Sequence, residues 1–231
     1  MIKSEMNQIQ RRSFVKKLTG GLALLGLSGT FLNAGTITGG TKKTAANFND
    51  KENSEDWFAQ LKGKHKILFD VPAHKGGSFL TFARNFLETN NETGTQDQDL
   101  NVLVILRHFG IALGLNDSMW EKYKIGDYVK LNDAETKEPS LRNVFWKPKS
   151  GDAWSSNKSI SALQKRGVII CVCDKSIEGF AEDFSHTTKF KKSEILADLN
   201  ANMIPEVKIV PSGVWALGRA QEQGCGYCFA G

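Results

Sequence analysis

The chain has 231 residues, with 30 basic and 25 acidic side chains and 40% hydrophobic residues. Five of the basic residues (Lys3, Arg11, Arg12, Lys16, Lys17) and one acid (Glu5) fall within positions 1–34, so the remainder carries a net charge of only about +1. The basic balance belongs to the N-terminus and excludes an electrostatic case for nucleic-acid binding by the body of the chain.

Gln10-Arg-Arg-Ser-Phe-Val-Lys-Lys17 is followed by an uncharged stretch from Leu18 to Thr41, with an apolar centre at Leu22–Leu27 and small residues at Asn33-Ala34-Gly35. A basic region, a modest apolar run and a small-residue exit make a signal peptide over 1–34. Its consecutive arginines resemble the twin-arginine signal, which implies the twin-arginine export machinery as a partner and a periplasmic destination. Glycine, serine and threonine dilute the apolar run below what a membrane span requires. Residues 35–55 offer little to bury and read as a linker. The rest, 56–231, has the size of a single domain.

Lys66–Val71 is the first predicted strand, stopped by Pro72. After Ala73-His-Lys-Gly-Gly77, apolar positions at Phe79, Phe82, Ala83, Phe86 and Leu87 recur at helical spacing. Leu100–Leu106 is a second buried strand, ending in Arg107-His108. Residues 111–123 read as partly helical, weakened at Gly114 and Asn116-Asp117. The segment 124–158 mixes Gly, Pro and four aromatic residues; it is either a lid or interface, or an insertion that packs its own aromatics on the sheet. A short helix over 160–166 leads to Gly167. Val168-Ile-Ile-Cys-Val-Cys173 is then a continuous apolar run with the character of a strand buried on both faces. Helices follow over 176–184 and 191–203, a strand over 207–210, a helix over 214–222, and a tail from Gly224 to Gly231. Alternating strands and helices predict an α/β fold, a three-layer sandwich around a mostly parallel sheet of about five strands.

Leu163-Gln-Lys-Arg-Gly-Val-Ile-Ile-Cys-Val-Cys173, Ile204-Pro-Glu-Val-Lys-Ile-Val-Pro-Ser-Gly-Val214 and Ala220-Gln-Glu-Gln-Gly224 resemble the DsrE/DsrF-like family. The resemblance covers residues 160–224 well and 64–110 loosely. It implies a five-stranded, largely parallel sheet, assembly into homo-oligomers and, in some members, relay of sulfur as a cysteine persulfide. Cys173 matches the family's strand cysteine. The export signal, the 124–158 insertion, Cys171 and Cys225-Gly-Tyr-Cys228 depart from the family pattern.

Ligands of parallel sheets bind beyond the carboxyl ends of the strands. That rim would collect His74, Lys75, Gly76 and Gly77, then Arg107 and His108, then Cys173, then Ser212 and Gly213. Gly76-Gly77-Ser78 is either an anion cradle of free backbone amides or a plain helix cap. The spacing of Cys171 and Cys173 puts both on one strand face, Cα atoms about 7 Å apart, at the limit for a disulfide. Cys171 reads as core filler and Cys173 as the rim thiol. Cys225 and Cys228 suit a reversible dithiol or half a metal site. A helix precedes this pair and none follows, which argues against thioredoxin-type activation. A local bridge between them is the alternative, a weak staple of about 2 kcal/mol against about 4 for a Cys171–Cys228 loop.

Two functions follow. In the first, Cys173 accepts sulfur from a small sulfur species or a thiol protein, the His74–Gly77 loop holds the anion, and Cys225 and Cys228 resolve the adduct. In the second, a non-catalytic oligomer holds a metal ion or a partner through Cys171, Cys173, Cys225 and Cys228, with His74 or His108. No Ser-His-Asp set or nucleotide-binding glycine fingerprint stands out.

Overall fold

The computed structural model describes residues 56–231; the signal-like segment and the linker over 35–55 lie outside the described residues. Five strands form the sheet: β1 His65–Val71, β2 Leu100–Leu106, β3 Ile169–Cys173, β4 Val207–Val210 and β5 Gly226–Phe229. Their order is β4-β3-β2-β1-β5, and every neighbouring pair is parallel. The helices are α1 Ser78–Glu92, α2 Asp117–Lys122, α3 Ile125–Tyr128, α4 Ile160–Lys165, α5 Asp174–Thr187, α6 Lys192–Ala201 and α7 Gly213–Glu222.

Both sheet faces are covered, as an all-parallel sheet requires. On one face, Phe79, Ala83 and Leu87 of α1, Ile177, Phe180 and Phe184 of α5, and Ile195 and Leu199 of α6 pack on Phe69, Val104, Ile170 and Val172. On the other, Ala216 and Ala220 of α7 join Phe58 and Leu61 of a short N-terminal 3-10 turn to bury Leu68, Leu103, Ile105 and Cys171. The result is an α/β three-layer sandwich. Each buried Leu, Ile, Val or Phe contributes on the order of 1.5–3 kcal/mol. That explains why the wholly apolar run from Val102 to Leu106 occupies the centre of the sheet, with every one of its residues buried.

The C-terminal segment departs from its reading as a tail. Gly226–Phe229 pairs with Ile67–Asp70 and forms one edge of the sheet. Four residues with a glycine at their head are too short to show a period, and only the open edge of β1 selects them as strand. A second departure is at residue 173. No loop separates β3 from α5, whose first residue is Asp174, so Cys173 itself is the N-cap. Over 111–123 the chain is helical in part, as expected, with its break between Gly114 and Asp117. The chain makes 3-10 turns over His108–Gly114, and then Asn116 caps α2 by accepting from the Met119 N–H at 3.3 Å.

The insertion over 124–158 packs onto its own domain. Asn143, only 1% exposed, donates to the Leu113 and Leu115 carbonyls at 2.8 and 2.9 Å and accepts from the Phe145 N–H. Arg142 pairs with Asp152 and Asp133. Trp154 donates its indole N–H to the Gly76 carbonyl at 2.9 Å. Replacing Asn143 by Ala orphans two buried carbonyls and an amide. We expect a loss of about 2–3 kcal/mol in urea unfolding and earlier proteolytic cleavage within 131–158 than in the sheet; an unchanged unfolding midpoint would contradict this account.

Candidate functional site

Cys173 ends β3 in register with Val210 at the end of β4. From these neighbouring strands the chain leaves in opposite directions, β3 into α5 on one face and β4 into α7 on the other. That divergence is the topological switch point at which open parallel sheets form their crevices. Cys173 is 4% exposed, caps a helix of 14 residues and lies within electrostatic reach of Arg107. Its partner in sequence, Cys171, belongs to the opposite core, fully buried beneath α7, and burial pushes that thiol up to about 12. The two sulfurs therefore do not share a surface, contrary to the strand-spacing expectation. The strand ends at Cys173, where the backbone turns into α5.

Arg107, the residue after β2, donates through Nε and Nη2 to both carboxylate oxygens of Asp70 at 2.7 and 3.0 Å. Asp70 is 2% exposed and also accepts from the Tyr227 hydroxyl at 2.8 Å. The carboxylate holds the guanidinium proton more tightly than usual and pushes the Tyr227 hydroxyl up. Arg107 leans on the start of α7, where a side chain at Gly213 would meet the Arg107 Cβ at 2.7 Å. Ser212 and Gly213 thus stand at the same rim as Arg107, with the first turn of α7 directed at it. His108, exposed and left-handed at φ 50°, donates its backbone N–H to the Ser176 hydroxyl.

The loop after β1 is a seat for the insertion; its amides are already engaged. The Gly76 N–H donates to His74 Nδ1, the Gly77 N–H to the His74 carbonyl and the Ser78 N–H to the Lys75 carbonyl. Of the two readings of Gly76-Gly77-Ser78, the helix cap fits, with Gly77 the N-cap of α1, and the cradle of free amides does not. Gly77 is needed for another reason: at φ 86° a Cβ would stand 2.7 Å from Trp154 Nε1. His74 faces the Val129 carbonyl through Nε2 at 3.1 Å, so both ring nitrogens are used. Burial, helped by Lys75, lowers its pKa against the opposing pull of Val129.

The C-terminal pair also needs correction as a resolving dithiol. Cys225 lies just before β5, buried on the α7 side at the amino end of the sheet, where burial pushes its thiol up. Cys228, three residues on, packs toward the other core. At about 3.3 Å per strand residue their α-carbons stand roughly 10 Å apart, beyond disulfide reach while β5 is paired. Both the local bridge and a relay from Cys173 are closed to them in this fold. The four sulfurs do not form a metal site either, and no group of three or more His, Cys, Asp or Glu among the described residues could hold an ion.

Sequence reading missed Asp70, Tyr227, Phe109, Tyr128 and Lys130. Asp70 had a signal, a lone acid inside an apolar strand that demands a buried partner. Tyr227 had none until β5 was placed.

No family model and no curated protein matches this chain. Among solved structures it is similar to that of a protein of unknown function, MTH1491, from Methanobacterium thermoautotrophicum. The match has 13% identity and a TM-score of 0.40, covering 72% of this chain and 99% of the other.

Two outcomes test this geometry. Arg107→Met strands a buried carboxylate and should cost about 3 kcal/mol or more, much of it restored in the Asp70→Leu/Arg107→Met double variant; additive losses in urea unfolding would refute the pairing. For His74 the unfolded chain takes up a proton near pH 6.5 that the folded imidazole resists. Its contribution is therefore intact above that pH and lost as pH falls toward the lower folded value. Relative to wild type, His74→Gln should show a smaller fall in stability between neutral pH and about pH 5.

Proposed function

We propose that this protein is an exported thiol protein that accepts sulfane sulfur on Cys173. The observation that carries the reading is the placement of Cys173 as the N-cap of α5 at the switch between β3 and β4. The thiol belongs to the residue that opens a 14-residue helix at a strand end, and the thiolate is the nucleophile in sulfur exchange. In the step, the Cys173 thiolate attacks the outer sulfur of a donor R–S–SH. The new S–S bond gives a Cys173 persulfide, the donor's S–S bond breaks, and R–S⁻ leaves with the electron pair. An acceptor thiolate then takes the outer sulfur and returns the Cys173 thiolate. With Cys173 4% exposed, a donor of a few atoms is favoured over a protein thiol. The likeness of residues 163–173 to the DsrE/DsrF-like pattern supports the same residue. The arginine pair at 11–12 supports delivery to the periplasm.

Intact-mass analysis after exposure to inorganic polysulfide tests the reading. One added sulfur is expected on the wild-type chain and on Cys225→Ser and Cys228→Ser, and none on Cys173→Ser. The untreated folded chain should show four free thiols. Addition mapped to Cys228, the most exposed of the four, or no addition at all, would refute the assignment.

A further inference from the structure

The same rim holds a cavity of about 340 Å³ that does not include Cys173. His74, Lys75, Phe109, Tyr128, Val129 and Lys130 form its wall. Its size is within the range of small-molecule pockets, roughly 300–1,000 Å³, at the end suited to one or two fused rings.

The chemistry of the wall is one-sided. Two lysines and no acidic residue are among the residues that line the cavity. Lys130 does pair with Asp127 at 3.1 Å, but the two side chains are 80% and 67% exposed, so water screens the pair and a ligand can displace it. Both lysines stand on left-handed backbone, Lys75 at φ 38° and Lys130 at φ 58°. Non-glycine residues keep such conformations only where the surrounding structure imposes them, and they cluster at ligand sites.

Phe109 and Tyr128 supply the aromatic part of the lining. Phe109 keeps 36% of its surface exposed, with its ring edge-on to Tyr128 at 5.4 Å. Tyr128 is locked from behind by Phe180, Phe184 and a hydrogen bond from its hydroxyl to Asp183. Its hydroxyl is therefore spent and only its ring is offered. His74 has both nitrogens engaged and adds no charge in its neutral form. Phe109 also meets the His108 ring at 4.2 Å, and its remaining exposed surface, together with two lysines at the same opening, complements a flat, negatively charged molecule.

We propose that this cavity binds a small planar anion of the aryl carboxylate class, its carboxylate between Lys75 and Lys130 and its ring against Phe109 and Tyr128. The proposal stands apart from the sulfur chemistry at Cys173 and survives its failure.

The probes are 2-naphthoate and its uncharged isostere 2-naphthamide, titrated calorimetrically into the full chain. Naphthoate should bind saturably at one site, about tenfold or more tighter than the amide, and weaken as salt is raised. Lys75→Gln and Lys130→Gln should each weaken naphthoate several-fold and leave the amide alone; Phe109→Ala should weaken both. Thermal melts establish that each variant folds. Lys130 is exposed, so Lys130→Gln decides the charge argument should the strained Lys75 position not tolerate change. Absence of saturable naphthoate binding, equal binding of the two probes, or indifference of naphthoate binding to Lys130→Gln overturns the proposal.

Discussion

A carboxylate sealed inside a sheet cannot stay charged alone, and Asp70 is the constraint on which the carboxyl rim is built. Burial removes its water, so the structure must supply the donors. Arg107 gives two from the end of β2 and Tyr227 one from β5. In doing so the ion pair fixes where three neighbouring strands end relative to one another. It also spreads the aliphatic part of Arg107 over the start of α7. A parallel ladder alone would leave the short β5 weakly held. The hydroxyl of Tyr227, the Ala230 N–H to the Asp70 carbonyl at 2.8 Å and the Ser78 hydroxyl to the Ala230 carbonyl at 3.2 Å secure it.

Once β5 is paired, the fate of the cysteines follows from strand geometry. A Cys-x-x-Cys spacing brings two sulfurs together at a turn or a helix start, and separates them along an extended strand. The fold uses Cys225 and Cys228 as packing for opposite faces, one under α7 and one toward α1. Cys171 is likewise a core residue. A helix does start directly after Cys173. There the strand converts to α5 without an intervening residue and the thiol stands at the helix's positive end.

Much of the sheet was legible because its strands are rich in apolar and β-branched residues and end at glycine, proline or polar stops. The runs at 66–71, 100–106, 168–173 and 207–210 all appear as strands, and the Gly167 and Pro211 stops fall where the chain turns. What was not legible depended on partners distant in sequence. Gly226–Phe229 is a strand only because β1 has a free edge. The Gly76-Gly77 pair read equally as an anion cradle or as a helix cap, because paired glycines before a helix suit both. Nothing local says that His74 and the adjoining carbonyls take its amides, or that Trp154, nearly eighty residues on, needs the missing Cβ. The all-parallel pairing delivers the ends of β1, β2, β3 and β4 to one rim, while the part each residue plays there required the contacts.

The short stretch Arg107-His108-Phe109 shows how one strand end serves two sites. Arg107 turns toward Asp70 and α7. His108 adopts a left-handed backbone at φ 50° and is held by Ser176 at the first turn of α5. That reversal swings Phe109 into the cavity between the β1 loop and Tyr128. Gly110 then closes the turn by donating to the Pro72 carbonyl at 2.9 Å, at a distance from β1 where a Cβ would lie 2.0 Å from the Val71 carbonyl oxygen. A residue with a side chain at 110 would push this turn off the sheet, and with it both the guanidinium on Asp70 and the ring in the cavity wall. The thiol and the cavity therefore share a rigid support without sharing a surface. Strain at His108 is sustained because the contacts on either side of it, the ion pair and the aromatic wall, are satisfied together only in that conformation.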